Sequence, residues 1–261
     1  MRPHDRGFGI RAIAVALCLS AAACGGGGSS TPSTGVLQEA GSMAESSNPD
    51  FWLNSGGEFF FTSGFGHTVE GELPADNPWH QAYAQSSSVD TDGGSHPQNL
   101  FRLINRGTFR NFSQELTFTI QRLNLSSSPN RNQSNGVLLF EHYRDSADLY
   151  YAGVRVDGAA VVKKKIHGVY HTLGLVPVYP GAYDRNRNPN LLPVGRAVTI
   201  HTDTRSNGDG SVEITLLVDG NPTIQVRDGG VGGAPIAEAS FAGIRTDFMD
   251  VEFQSYSANA D

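Results

Sequence analysis

The chain has 261 residues, 38% of them hydrophobic and only 17% charged, with 31 glycines and 13 prolines. That length holds one large β domain or two small ones and is ample for a packed core. A net charge of −7 excludes nucleic acid as the main partner, because a phosphate backbone calls for a basic footprint.

The first segment reads as an export signal. Arg2, Arg6 and Arg11 make a basic start, Ala12 to Leu19 form an apolar run, and Ser20, Ala21, Ala22 and Ala23 lead into Cys24. This is the three-part layout of a secretory signal, and its apolar run is too short to span a bilayer. Small residues before a cysteine, followed by Gly25-Gly26-Gly27-Gly28-Ser29-Ser30, resemble the lipobox and tether of bacterial lipoproteins, although Ala21 stands where the pattern prefers Leu. The resemblance implies a signal peptide over residues 1–23 and lipidation at Cys24. It also implies a bacterial cell-envelope location through a lipid membrane anchor, on the outer membrane if the host is Gram-negative. Each buried CH₂ of an acyl chain adds about 0.8 kcal/mol. An ordinary signal cleaved near Ala23, leaving a free protein, is the other reading of the same residues. The only cysteines are Cys18 and Cys24, so no disulfide is expected beyond the anchor. Without residues 1–23 the balance is 16 basic and 25 acidic residues, or −9.

Residues 24–50 are rich in Gly, Ser, Thr, Pro and Glu and predict a flexible linker. From Phe51-Trp52-Leu53 onward a single domain, 51–261, is expected. Its period is two. Leu116, Phe118 and Ile120 alternate with polar residues, as do Val154 and Val156, Val198 and Ile200, and Val212, Ile214, Leu216 and Val218. Each set predicts a half-buried strand. Asp157-Gly158, His167-Gly168, Asn207-Gly208-Asp209-Gly210 and Asp219-Gly220 are the turns between strands. With no long amphipathic helix pattern, the fold class is all-β, a sandwich or a barrel.

Two segments narrow this. Asn135 to Phe140, Tyr150-Tyr151-Ala152-Gly153-Val154-Arg155 and Val162 to Gly168 form one; Phe241-Ala242-Gly243-Ile244-Arg245-Thr246-Asp247 followed by Val251-Glu252-Phe253 forms the other. Together they resemble the concanavalin A-like lectin/glucanase superfamily. That resemblance implies a jelly-roll β-sandwich of two antiparallel sheets whose concave face holds carbohydrate, but fold does not settle function.

Hydrolysis by the retaining glucanases of that superfamily needs acids at alternate positions on one strand, so that two act from one face. Asp250-Val251-Glu252 lacks the third acid. β-Elimination on a uronic-acid polymer needs a carboxylate neutraliser, a base and an acid. The jelly-roll alginate lyases carry three motifs whose order is similar to Ser113-Gln114-Glu115-Leu116, Glu141-His142-Tyr143 and Tyr150 to Arg155, without their Arg, Gln, Lys and final Tyr. On these grounds Tyr151, Arg155 and His142 are the candidate catalytic residues. Arg102, Arg106, Gln121, Tyr143, Lys163, Lys165 and Tyr183 are the candidate substrate-binding residues. Tyr183 lies in the Tyr, Arg and Asn-rich segment 179–190, a composition that suits sugar contacts. The scattered histidines give no metal spacing. No cofactor is expected, and Asp90-Thr91-Asp92-Gly93 leaves a structural Ca²⁺ open. The reading is thus a carbohydrate-active envelope protein that binds an acidic polysaccharide. Whether it is an enzyme stays open, and if it is one, a polysaccharide lyase cleaving by β-elimination fits better than a glycoside hydrolase. The alternatives are a non-catalytic carbohydrate-binding lipoprotein and a structural or adhesive one.

Overall fold

The computed structural model describes residues 34–62 and 64–261. Its strands in chain order are β1 (Gly35–Gln38), β2 (Phe51–Ser55), β3 (Glu58–Phe61), β4 (Gly66–Thr68), β5 (Arg102–Phe109), β6 (Phe112–Leu123), β7 (Gly136–Tyr143) and β8 (Leu149–Arg155). Then follow β9 (Ala159–Ile166), β10 (Val169–Pro177), β11 (Ala197–Ser206), β12 (Val212–Val218), β13 (Asn221–Asp228), β14 (Ser240–Thr246) and β15 (Met249–Ala260). They form an eight-stranded sheet, β1-β3-β4-β15-β6-β11-β12-β13, and a seven-stranded sheet, β10-β9-β8-β7-β14-β5-β2. The strand pairings within both sheets are antiparallel.

Alternation sets the faces. Leu116, Phe118 and Ile120 of β6, with Ile214 and Leu216 of β12, meet Leu103, Val137, Leu139, Ala152, Val154 and Val162 of the other sheet in one buried core. Burying a large apolar side chain contributes about 1.5–3 kcal/mol, so this layer fixes which residues face outward. The tight turns set the register. His167 and Gly168, and Asp219 and Gly220, all have positive φ, the backbone of a type I′ hairpin. The His167-Gly168 turn therefore pairs Ile166 with Val169 and Lys165 with Tyr170.

The N-terminal segment departs from the sequence reading. Residues 35–50 are not a linker. β1 pairs with β3, and Leu37 is 2% exposed within the main core. Beyond it the Trp52 indole donates to the Ala40 carbonyl at 2.9 Å, and Met43 packs on the outer side of the seven-stranded sheet. One apolar residue every few positions was enough to order a segment whose composition reads as tether. Residues 1–33, which hold the expected signal and Cys24, lie outside the described residues. A helix, α1 (Pro78–Ser86), also went unread. Asn77 caps it by accepting from the Trp79 amide at 2.8 Å, and Pro78 follows the cap.

The outer face of the eight-stranded sheet carries Glu115, Asp203, Glu213 and Glu252 against Arg205 and Arg227, among threonines. Polar groups are buried inside the sandwich as well, Glu141, Lys164 and Asp228 among them. Glu141 of β7 points across to β6 and β11. Lys164 of β9 meets Asp228 of β13 at 2.8 Å, both essentially unexposed.

Candidate functional site

The outer face of the seven-stranded sheet gathers the cations. On β8, Ala152 and Val154 point into the core, so Tyr151 and Arg155 point out. The same parity turns Lys163 and Lys165 of β9, Arg102 of β5 and Arg245 of β14 outward, while Lys164 between the two lysines turns in. Tyr170 on the edge strand β10 completes the group. Its ring lies 5.9 Å from that of Tyr151, with Lys165 Nζ 4.8 Å and Lys163 Nζ 5.9 Å from its centroid. Arg245 lies over the Tyr151 ring at 5.8 Å and reaches the Tyr170 hydroxyl at 3.5 Å. β10 and β14 are four strand positions apart, about 19 Å at the usual spacing. Two side chains bridge that gap only when they lie along the sheet and the sheet curls toward them. The outward face is therefore the hollow one.

Asp247 anchors the arginines. Both its oxygens accept from Arg245 Nε, at 3.1 and 2.9 Å, and Arg102 Nη2 stands 3.7 Å away. Arg102 Nη1 donates to the Leu100 carbonyl at 2.7 Å. The face holds five cations (Arg102, Arg155, Lys163, Lys165, Arg245) against two carboxylates, Asp157 and Asp247, a net +3 on a chain of −7. The ionisations reflect this. Burial pushes the Tyr151 phenol up to about 12, with Arg245 working against the rise. Burial also works to raise Tyr170, yet Arg245, Lys165 and Arg102 hold its phenol below the ordinary value. Burial and then Arg155 lower Lys163.

Beneath these groups the floor is apolar: Ile104, Leu138, Phe140, Tyr143, Leu149 and Val161, each at most 5% exposed. Tyr143, expected as a substrate contact, belongs to this floor. Arg155, expected as catalytic, is on the right face but only 5% exposed. Its guanidinium is held by Asp157 at 2.6 Å and by the Gln133 carbonyl at 3.1 Å.

Other expected residues lie elsewhere. His142 is not a catalytic residue of this face. The register slips between Phe241 and Gly243 opposite β7, and His142 takes a positive φ of 49°. The extra residue of this bulge turns His142 inward, where its Nε2 lies 3.3 Å from the Ser206 hydroxyl, and returns Tyr143 to the outside. Burial lowers the His142 imidazole to about 4, so it stands neutral. Gln121 lies on the opposite sheet, donating to Glu252 at 2.7 Å. Arg106 is at the far end of β5, on the Asn48 carbonyl at 2.8 Å. Tyr183 packs against the main core beside Arg131 and Asn132. In the expected calcium loop, Ser126 and Ser128 donate to Asp92 and Asp90, and the Asn130 amide donates to Asp90 at 3.0 Å. These contacts fasten the 124–135 loop with hydrogen-bond donors. Among the described residues no three His, Cys, Asp or Glu converge.

Tyr170, Arg245 and Asp247 were not selected from sequence. Arg245 lay within the fold motif Gly243-Ile244-Arg245-Thr246-Asp247, and Tyr170 was readable from the two-residue turn that sets it opposite Lys165.

This is an all-β jelly-roll sandwich with a cationic, tyrosine-bearing hollow on one sheet. Among solved structures it is similar to the carbohydrate-binding module CBM66 from Bacillus subtilis, at TM-score 0.50 and 12% identity over 80% of this chain and 95% of that one. A Bacillus subtilis protein of unknown function with a galectin-like fold matches at TM-score 0.46 and 10% identity, over 80% and 89% of the two chains. A doubly substituted form of human galectin-16 matches at TM-score 0.39 and 13% identity, over 57% and 88%. At such identities the likeness speaks for the fold alone. No protein-family model and no curated protein sequence matches the chain.

Proposed function

We propose that the protein binds an acidic glycan on the outer face of the seven-stranded sheet. The observation that carries this reading is the convergence of Tyr151, Tyr170, Arg102, Arg245, Lys163 and Lys165 there. Tyr170, 45% exposed, supplies a ring on which a pyranose can stack, with Tyr151, only 3% exposed, backing it from the floor, and the cations supply attraction for a polyanion. The shared fold with a carbohydrate-binding module adds an analogy and no more. In this reading Cys24 carries the lipid that holds the protein on the bacterial envelope.

One observation favours cleavage as a second reading. Tyr170 is 45% exposed with its phenol held low by Arg245, Lys165 and Arg102 against burial, which suits proton abstraction beside a neutralised carboxylate. Titration of the protein with a panel of uronic-acid and neutral polysaccharides, with ultraviolet absorbance read for unsaturated products, tests both. Binding to the acidic members that weakens as salt rises to 0.15 M, where the Debye length is about 8 Å, is expected. Replacing Lys163 and Lys165 together by Gln should lower that salt dependence. Product formation lost in Tyr170→Phe supports the lyase; binding without product supports the binder. Binding to no glycan of the panel overturns the proposal.

A further inference from the structure

The geometry points to a single-anion subsite between Arg245 and Arg102, one that takes a monoanionic substituent of the sugar, a carboxylate or a sulfate ester. This rests on the glycan-binding reading and assigns its charge selectivity to one place. Two guanidiniums share one carboxylate, Asp247, so the cluster holds a net +1. Each is only partly exposed, with side-chain exposures of 24% for Arg102 and 16% for Arg245. Nε of Arg245 is occupied by Asp247 and Nη1 of Arg102 by Leu100. Among the described residues, Arg245 Nη2 and Arg102 Nη2 donate no hydrogen bond, and Arg245 Nη1 has only the long 3.5 Å contact to Tyr170.

The free donors of these partly exposed guanidiniums are open to solvent, so an anion can take them in place of water with charge-assisted hydrogen bonds. Arg245 and Arg102 also repel, and burial together with that repulsion lowers the Arg102 guanidinium. One monoanion set against the free edges of both forks neutralises the remaining charge and fills the donors. The Tyr170 hydroxyl occupies part of the place the anion would take, as a weak neutral acceptor that an anion displaces. Lys163 and Lys165 differ in kind. They are point charges, Lys165 Nζ resting on the Ser146 carbonyl at 2.7 Å, which attract a polyanion without the planar fork that selects its groups.

The test uses three tetrasaccharides on one backbone: a uronic-acid form, its carboxyl-reduced form and a sulfated form of the latter, titrated calorimetrically. The charged forms should bind the protein at least about tenfold more tightly than the reduced one, the scale of a charge-assisted hydrogen bond. Arg245→Lys keeps the charge beside Asp247 but loses the fork, and should remove most of that preference. Lys163→Gln with Lys165→Gln should keep it. Tyr170→Phe leaves the fork free, and should bind the charged forms at least as well as the wild type. Preference for the uronate alone, or for the sulfate alone, names the anion and supports the subsite. A preference for the charged forms that survives Arg245→Lys and Arg102→Met but is lost in Lys163→Gln with Lys165→Gln overturns the subsite and leaves the acidic-glycan reading standing. Equal binding of all three forms overturns both the subsite and the acidic selectivity and leaves only carbohydrate binding. Binding by none overturns that as well. If Arg245→Lys does not fold, Arg102→Met, which retains an apolar stem, should halve the site with the same loss of preference, and an unchanged preference there also overturns it.

Discussion

Glu141 offers a quantitative test of the interior. It is unexposed, and its oxygens accept from Gln114 Nε2 at 2.8 Å, Thr202 at 2.7 Å and Thr204 at 2.8 Å. Among the described residues no cation pairs with it, and burial raises its carboxyl from 4.5 to about 7 despite those hydrogen bonds. Below about pH 4.5 both folded and unfolded states hold the proton. Between 4.5 and 7 the unfolded chain releases it and the folded one keeps it, so stability falls as pH rises. At about 1.4 kcal/mol per tenfold, the loss is about 3 kcal/mol once pH exceeds 7. Glu141→Gln is neutral at every pH. Thr202 and Thr204 can rotate to accept from the new amide, since hydroxyls serve as either partner. Urea denaturation of both proteins from pH 4.5 to 8 should show the Gln variant gaining about 3 kcal/mol on the wild type across that range. His142 contributes the opposite slope. Its imidazole is lowered to about 4, so its stability is lost as pH falls from about 6.5 toward 4. The wild-type profile should then be nearly flat where the variant slopes. A stability difference between the two proteins that does not change with pH refutes the argument.

Leu37→Ala should cost about 2–5 kcal/mol in denaturant unfolding, and a chain starting at residue 51 should fold poorly, because Leu37 sits in the main core; no change would return residues 35–50 to the status of a tether. Lys164→Met removes one member of the buried pair with Asp228, whose carboxyl lies low because Lys164, Tyr150 and the Gly230 and Val231 amides outweigh burial. The expected loss is about 3–5 kcal/mol, with faster amide exchange at Gly229–Gly233, since Lys164 also holds the Gly233 carbonyl at 2.7 Å. Cys24→Ala should move the protein out of the membrane fraction or block its processing, and unchanged fractionation would remove the anchor from the reading.

Much of the fold was legible because alternation needs no context. The strands around Leu116, Val154, Val198 and Val212 face as their period requires, and so does Tyr151. Lys163 and Lys165 follow from Val162 by the same rule. What failed were places where one residue departs from its neighbours' rule. The bulge at His142 reverses a parity that the letters around it do not reveal. Arg155 faces outward as expected, but Asp157, two residues on, holds it. Arg245 and Tyr170 meet across four strands. No local pattern carries a contact of that range; only the curl of the sheet does.

The two outer faces of the sandwich oppose one another in sign, with the carboxylates of Glu58, Glu115, Asp203, Glu213 and Glu252 outnumbering the guanidiniums of Arg205 and Arg227 on the eight-stranded side and a net +3 on the other. The molecule is therefore an electric dipole across its thin dimension. A polyanionic chain drifting past is turned toward one side before contact, and a polymer laid in the hollow meets no competing patch behind it. The same polarity gives copies of the protein a head-to-tail attraction in dilute buffer, one that added salt dissolves.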